Sequence, residues 1–307
     1  MPKLLLRTKG SAICLDQAIV GLVWLLLTSI CFDAVDCNML LAAGPLLENS
    51  ELTESSGVAF STRSNDVLFS HNDSGDKPRL FAFDRTGKHL AEISVRGAKS
   101  QDWEDLCSFQ RGGKHWLAVG DTGDNEAKRE HIAIYIFEEP VLESNVREYR
   151  VALACELRVR YPRRPTDCEA LGYDSVTDTL VLITKAVLGC ELFQVPIPKQ
   201  FFGAVNVAAE WQGRLTVPFV TGADISRDGQ KIVLGTYGPA CLIPRNVLFP
   251  KQPWSVSAGQ QLPFFEVPAR KQGEAICFSP DGQHVWLTSE HVPTPLINVP
   301  LPAFTSP

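Results

Sequence analysis

The chain has 307 residues, 45% of them hydrophobic, which is enough for a substantial core, and a formal net charge of −6. That charge and the lack of a basic stripe exclude a nucleic-acid backbone as partner, because phosphate binding needs clustered Lys and Arg. Nine cysteines occur without CxxC or Cys/His metal spacing, which excludes a zinc-finger type of site.

In chain order, Lys3, Arg7 and Lys9 precede an apolar stretch from Ala18 to Phe32, the layout of an export signal. The stretch falls short of the roughly 20 apolar residues of a membrane span. Residues 1–38 are therefore expected to be a signal peptide or an N-terminal membrane anchor, and 39–307 a single domain that is secreted, periplasmic or at the cell surface.

A short phrase then recurs five times: SSGVAF at 55–60, WEDLCS at 103–108, CEALGY at 168–173, VTGADIS at 220–226 and GEAICF at 273–278. Aligned on Ser56, Glu104, Glu169, Thr221 and Glu274, the copies are spaced by 48, 65, 52 and 53 residues. Blades of four strands have periods of about 40–50 residues, so the spacing predicts a radial array. After each phrase comes a run with strand composition: DVLFSH, HWLAVG, TLVLIT, KIVLGT and HVWLTS. Turn residues separate the two runs, as in Arg111-Gly112-Gly113, Asp228-Gly229 and Asp281-Gly282, so each copy opens with a hairpin.

Third strands are expected at 79–84, 131–137 and 191–195, and outer fourth strands at 89–95, 149–159, 206–211 and 261–267. The last copy ends one strand short after 295–301, and a strand around Met39–Leu47 is expected to complete it, because closure removes two exposed sheet edges. The expected fold is all-β: a β-propeller of five blades, four antiparallel strands each, closed by the N-terminal strand.

Cys107 and Cys277 fall in the small-residue slot shared with Ala59, Gly172 and Asp224, which predicts small buried hydrophobes. Cys155, Cys168, Cys190 and Cys241 leave room for one disulfide of unreadable pairing. Trp103 and Trp286 read as packing between blades. His71, His131 and His291 lie near strand ends without a paired nucleophile or an HExxH pattern.

Two loops carry the same Asp-(Ser/Thr)-Gly-Asp core, His71-Asn72-Asp73-Ser74-Gly75-Asp76 and Asp121-Thr122-Gly123-Asp124-Asn125. Oxygen-rich side chains with glycine suit a hard cation such as Ca²⁺, and they equally suit a tight turn whose side chains cap backbone amides. The phrases add Asp102, Glu104, Asp105, Asp167, Glu169, Asp224 and Glu274. First strands of a propeller line the central channel, so these carboxylates should converge there. Crowded carboxylates take up protons, find basic partners or hold a metal ion. Lys185, Arg79 and Arg129 are the basic candidates. Glu104, Glu169, Glu274, Asp73, Asp121 and Asp124 are the expected Ca²⁺ ligands, with His71, Asn72, Asp102, Asp105, Asp167, Lys185, Asp224 and Glu290 at a ligand-binding rim. Acidic residues in these positions also serve as inter-blade hydrogen-bond acceptors, and that alternative stays open.

The ordered series ESSG (54–57), HNDSGD (71–76), DWED (102–105), VGDTGDN (119–125), DCEAL (167–171), LITK (182–185), TGADIS (221–226), GEAI (273–276) and LTSE (287–290) resembles a family of exported bacterial β-propeller proteins. Its members are labelled WD40-like or TolB-like and have no established activity. The long N-terminus and the prolines near the end depart from that pattern. More distantly, the architecture is similar to calcium-dependent propeller hydrolases of the gluconolactonase, phytase or esterase type. That resemblance implies a metal over the central channel and transfers no catalytic residue. Two functions follow as expectations. One is an exported, monomeric binding protein with an acidic, Ca²⁺-occupied central site that takes a small molecule or protein at one face. The other is a metal-dependent hydrolase of a lactone, ester or phosphoester that uses the axial carboxylates. The binding protein is the first expectation, because no activated nucleophile is visible, and the hydrolase is the alternative.

Overall fold

The computed structural model describes residues 44–245 and 262–303. The export segment and residues 39–43 of the expected closing strand lie outside the described residues. Among the described residues no helix is long and apolar enough to cross a membrane.

The described residues form twenty strands, which follow the repeat. The first copy gives β1 (Ser55–Phe60), β2 (Val67–Asn72), β3 (Arg79–Asp84) and β4 (His89–Arg96), paired in that order as antiparallel neighbours. The second gives β5 (Trp103–Arg111), β6 (Lys114–Asp121), β7 (Ile132–Glu138) and the thirteen-residue β8 (Glu148–Arg160). The third gives β9 (Cys168–Asp174), β10 (Thr179–Thr184), β11 (Cys190–Pro196), β12 (Gly203–Ala208) and β13 (Glu210–Leu215). β14 (Val220–Ile225), β15 (Lys231–Thr236), β16 (Ala240–Pro244) and the two-residue β17 (Phe264–Phe265) follow. β18 (Gly273–Phe278), β19 (His284–Ser289) and β20 (Ile297–Pro300) end the series.

Two departures from the sequence reading concern outer strands. The stretch 206–211, read as one strand, splits at Ala209: β12 pairs parallel with β8, whereas β13 completes the sheet of β9, β10 and β11. β8 also pairs parallel with β4 through Glu148–Ala152, so the first two copies, together with β12, form one nine-stranded sheet rather than separate blades. The physical reason is the length of β8. Its N-terminal end outruns its partner β7 and pairs with β4 through Glu148–Ala152, while β12 covers its other edge along Cys155–Arg160. Of the described part of the expected strand 261–267, residues 262–267, Phe264 and Phe265 pair with β16.

The first strands touch in cyclic order, β1 on β5, β5 on β9, β9 on β14, β14 on β18 and β18 on β1. The core is correspondingly layered between neighbouring sheets. Trp103, Leu106 and Phe69 meet in one layer, Phe109, Leu171 and Phe193 in the next, and Ala170, Ile225 and Leu234 in a third. Val233, Ile276 and Leu287 fill a fourth, and Phe60, Phe81 and Trp286 a fifth that includes Leu47 and Leu52. The fold is thus all-β and propeller-like. The described end of the expected closing strand makes a single antiparallel bridge, Leu46 to Pro295, flanked by Leu47 N donating to Thr294 O at 2.9 Å and Leu296 N donating to Pro45 O at 2.8 Å.

All six described cysteines are free and buried, including Cys155, Cys168, Cys190 and Cys241, so no disulfide joins the described residues. They pack as small side chains in the interior. Cys107 and Cys277 do so as their slot predicts, at 2% and 1% exposure.

One irregularity recurs in every first strand. The pairing register of each is interrupted at the aligned position: between Ser55 and Gly57, Trp103 and Asp105, Cys168 and Ala170, Val220 and Gly222, and Gly273 and Ile276. Ser56, Glu104, Glu169 and Thr221 are the residues left unpaired, and Glu274 lies inside the fifth interruption. A bulge inserts a residue that escapes strict alternation and re-aims its side chain. The recurring phrase is therefore a recurring bulge at the same end of the central strands.

Candidate functional site: an acidic mouth

The bulged ends of the first strands meet the ends of the second strands at one mouth of the ring. Asp73 follows β2, Lys185 follows β10, Tyr237 follows β15 and Glu290 follows β19. One oxygen each of Asp73, Asp102 and Glu104 lies within 4.8 Å of the other two, and the same holds for Glu104, Asp167 and Glu169. Glu104 belongs to both groups. Ligands on opposite sides of a calcium ion are about 4.6–5.2 Å apart, so each group spans one ion.

The electrostatics follow from burial. Glu104, Glu169 and Glu274 are 3%, 4% and 3% exposed. Burial, then the neighbouring Glu169, Asp73, Asp102 and Asp167, pushes the Glu104 carboxyl far above the usual range. Glu169 also rises through burial, against the pull of Lys185, whose Nζ lies 2.9 Å from Oε1 of Glu169. Glu274 is pushed up to about 8 by burial and by Glu169, and Asp73 to about 6 by burial and by Asp102. Asp102 and Glu290 rise for the same first reason, burial, followed by Asp167 and Glu54 respectively. For Lys185 burial works against the charge, but Glu169 outweighs it and the net shift is upward.

Two further observations fit a bound cation. Glu274 Oε1 accepts from Gln272 Nε2 at 3.1 Å, while its buried Oε2 has no hydrogen-bond partner. At Gly123 a Cβ would collide with Glu104 Oε1 and Asp102 Oδ2, so only glycine lets this loop run against the carboxylates. The donor set is all oxygen, which suits a hard cation and not a thiolate- or imidazole-seeking one.

The structure treats the residues expected here unequally. Glu104, Glu169 and Asp73 come together, and Glu274 stands next to Glu169. Asp121 and Asp124 are turned elsewhere. Asp121 pairs with Arg129 at 2.8 Å and accepts from the amides of Gln101 and Asp102. Asp124 accepts from the amides of Lys128 and Arg129, and only its own N–H reaches the mouth, donating to Asp167 Oδ1 at 2.8 Å. Asp102 and Asp167, expected at the rim, stand inside the two groups. A sequence signal for them existed: each precedes its Glu by two residues in an Asp-x-Glu pair, and alternate residues of an extended segment share a side.

Lys185 and Glu290 stand at the mouth as expected, and the remaining rim candidates are structural. Asn72 caps its loop, accepting from the amides of Thr53 and Glu54 and donating to Glu51 O and Asp76. Arg79 serves Asp76, Glu51 and Glu92 rather than the mouth. His71 is fully buried, packs edge-on against Trp103 at 5.5 Å and is pulled down to about 4 by burial, which keeps it neutral. Asp105 lies inside the ring, not at its rim. Its carboxylate accepts from Leu106 N, Leu171 N and Ala223 N, tying three first strands together. Asp224 likewise accepts from Ile225 N and Phe278 N. For these two the acceptor reading holds. Sequence reasoning also missed a cavity of about 210 Å³ at the opposite mouth, lined by Thr62, Gln110, Tyr173 and Arg227 among others.

No protein-family model matches the chain, and no curated protein does. Among solved structures it is similar to a gluconolactonase of Xanthomonas campestris, at 13% identity over 81% of this chain and 72% of that one, with a TM-score of 0.43. It is also similar to the hydrazine synthase of Kuenenia stuttgartiensis, at 9% identity over 81% and 84%, with a TM-score of 0.46. At such values the likeness says nothing about which residues act, and the chemistry rests on the geometry above.

Proposed function

We propose that the protein is a metal-dependent hydrolase of the lactonase, esterase or phosphoesterase type, built on a five-bladed propeller, with a divalent cation, Ca²⁺ in the first place, at the acidic mouth. The observation that carries this reading is the pair of carboxylate triads sharing Glu104, with Lys185 as the one ammonium hydrogen-bonded among them. Glu104, Glu169, Asp73, Asp102 and Asp167 would hold the ion, with Glu274 beside them. A bound divalent cation supplies polarisation of a carbonyl or phosphoryl oxygen.

The chain's own groups suit the remaining tasks. Asp73, Asp102 and Asp167 are partly exposed, so the mouth is open to a substrate, unlike the closed shell of a purely structural ion. Lys185 offers a fixed positive charge for an oxyanion, held by Glu169 and by the Tyr237 ring 5.3 Å from its Nζ. Export through the N-terminal segment and a monomeric state belong to the same reading.

The test begins with Ca²⁺ titrated into chelated protein by calorimetry and thermal shift, for the parent and for Glu169→Gln. Stabilisation of the parent that the variant loses is expected. If the ion binds, turnover of lactones, aryl esters and phosphoesters follows. No stabilisation by any divalent ion removes the metal centre. Binding without turnover of any substrate leaves the alternative, a binding protein pinned by its cation.

A further inference from the structure

A second site stands beside the mouth. The loop from Arg160 at the end of β8 to Cys168 at the start of β9 borders a cavity of about 320 Å³ lined by Tyr161, Pro162, Arg163, Arg164, Glu191 and Phe193. The same loop ends in Asp167, a member of the second carboxylate triad. Two residues lie between Arg164 and Asp167, so their backbones are at most about 11 Å apart.

The arginines of this stretch divide into two kinds. Arg158 pairs with Glu156 and Arg160 with Glu130. Arg163 and Arg164 have no carboxylate partner among the described residues. The Arg163 guanidinium lies over the Trp211 ring, 4.9 Å from its centroid, and the Trp211 indole N–H donates to Glu191 Oε1 at 3.2 Å. This stack places Arg163 while leaving its N–H fork unused, and a placed fork suits an oxyanion better than a mobile one. Glu191, whose Oε1 accepts from Trp211, is the one carboxylate in the lining against two guanidiniums. The Tyr161 hydroxyl, in a residue 7% exposed, faces the Cys168 thiol.

We propose that this cavity binds the oxyanion of a ligand, a phosphate or a carboxylate, through Arg163 and Arg164. Taken with the proposed hydrolase, on which this second step rests, it makes the substrate an anionic ester or lactone whose charged group docks on the loop that carries Asp167 to the mouth. The acidic mouth would repel such a substrate, and the two arginines offset that repulsion at the point where it docks.

The full chain, chelated so that no metal at the mouth takes up anions, is titrated calorimetrically with inorganic phosphate and separately with malonate. The parent is expected to bind at least one of them. Arg163→Ala/Arg164→Ala should weaken that binding tenfold or more, and Arg164→Gln, an exposed change, should weaken it in the same direction. Arg158→Ala should leave it unchanged. Which probe binds distinguishes phosphate from carboxylate. The site is overturned if neither probe binds the parent, or if the double variant binds as the parent does. Turnover is a separate arm. With the metal restored, kcat/KM for a carboxylated aryl ester should fall at least tenfold in the double variant and that for its uncharged analogue less than twofold; equal losses overturn the substrate assignment. If no ester is turned over at all, the hydrolase reading fails while the titration still decides the anion site.

Discussion

At the scale of single residues, the mouth keeps protons that its carboxyl groups lose elsewhere. Glu274, with an ordinary value of 4.5, is held at about 8, and Asp73, with 3.8, at about 6. A carboxyl whose value is higher in the folded than in the unfolded chain favours folding while protonated. That contribution is fully present below the unfolded value and is lost as pH rises through the folded one. The metal-free protein should therefore lose melting temperature between about pH 4.5 and pH 8, and saturating Ca²⁺ should flatten the profile. A metal-free profile that rises across this window would show that the mouth is not under carboxylate repulsion. Burial also pushes the Asp105 carboxyl well above the usual range, but its part is structural, because its oxygens accept from three backbone amides on three strands. Asp105→Ala leaves those amides buried without acceptors, at about 1–3 kcal/mol each before relaxation. Denaturant unfolding should register a loss of several kcal/mol, with calcium affinity in the surviving fold much less changed.

At the scale of elements, the loop after β6 shows how a backbone shapes a charged site. Its Gly123 lies where any Cβ would meet two carboxylates, both at the flexible ends of side chains. Gly123→Ala should therefore displace Glu104 and Asp102 rather than unfold the chain. Calcium affinity is expected to fall about 10–100-fold, the range for losing a neighbour that orients ligands, with little change in melting temperature. The same loop marks the boundary of what the sequence shows. The paired Asp-x-Glu phrases are legible because they repeat in register with the bulge. Asp121 and Asp124 looked equally suited to an ion, and their direction is set by Arg129 and nearby amides, a competition that composition does not reveal. Strand composition likewise located β12 and β13 as one run, but it carries no information about which sheet each half joins.

At the scale of the whole molecule, the ring order was legible because a phrase repeated five times has one repetitive arrangement that buries every copy. The closure is less visible in sequence, since it rests on one bridge and on the apolar residues behind it. Leu52 is fully buried with Phe60, Trp286 and Leu296, and so joins the first and last copies. Leu52→Ala should cost about 2–5 kcal/mol, as for other large-to-small changes in cores. The decisive measurement is amide exchange. Protection should fall first in β1, β18 and β19, on both sides of the seam, and an effect confined to β1 would mean that Leu52 does not hold the ring shut.

The five bulges carry a consequence of another kind. A residue that drops out of the ladder no longer has to match the packing above and below it, so its chemistry is released from the demands of folding. The mouth is then a circle of five seats, three now filled by glutamates and two by the hydroxyls of Ser56 and Thr221, which bind the backbone of the next strand at Glu104 O and Glu274 O. Exchanging the occupants would change charge, metal preference or reactivity while the layered core stays untouched. A scaffold of this design separates what the protein is from what it does, one inserted residue at a time.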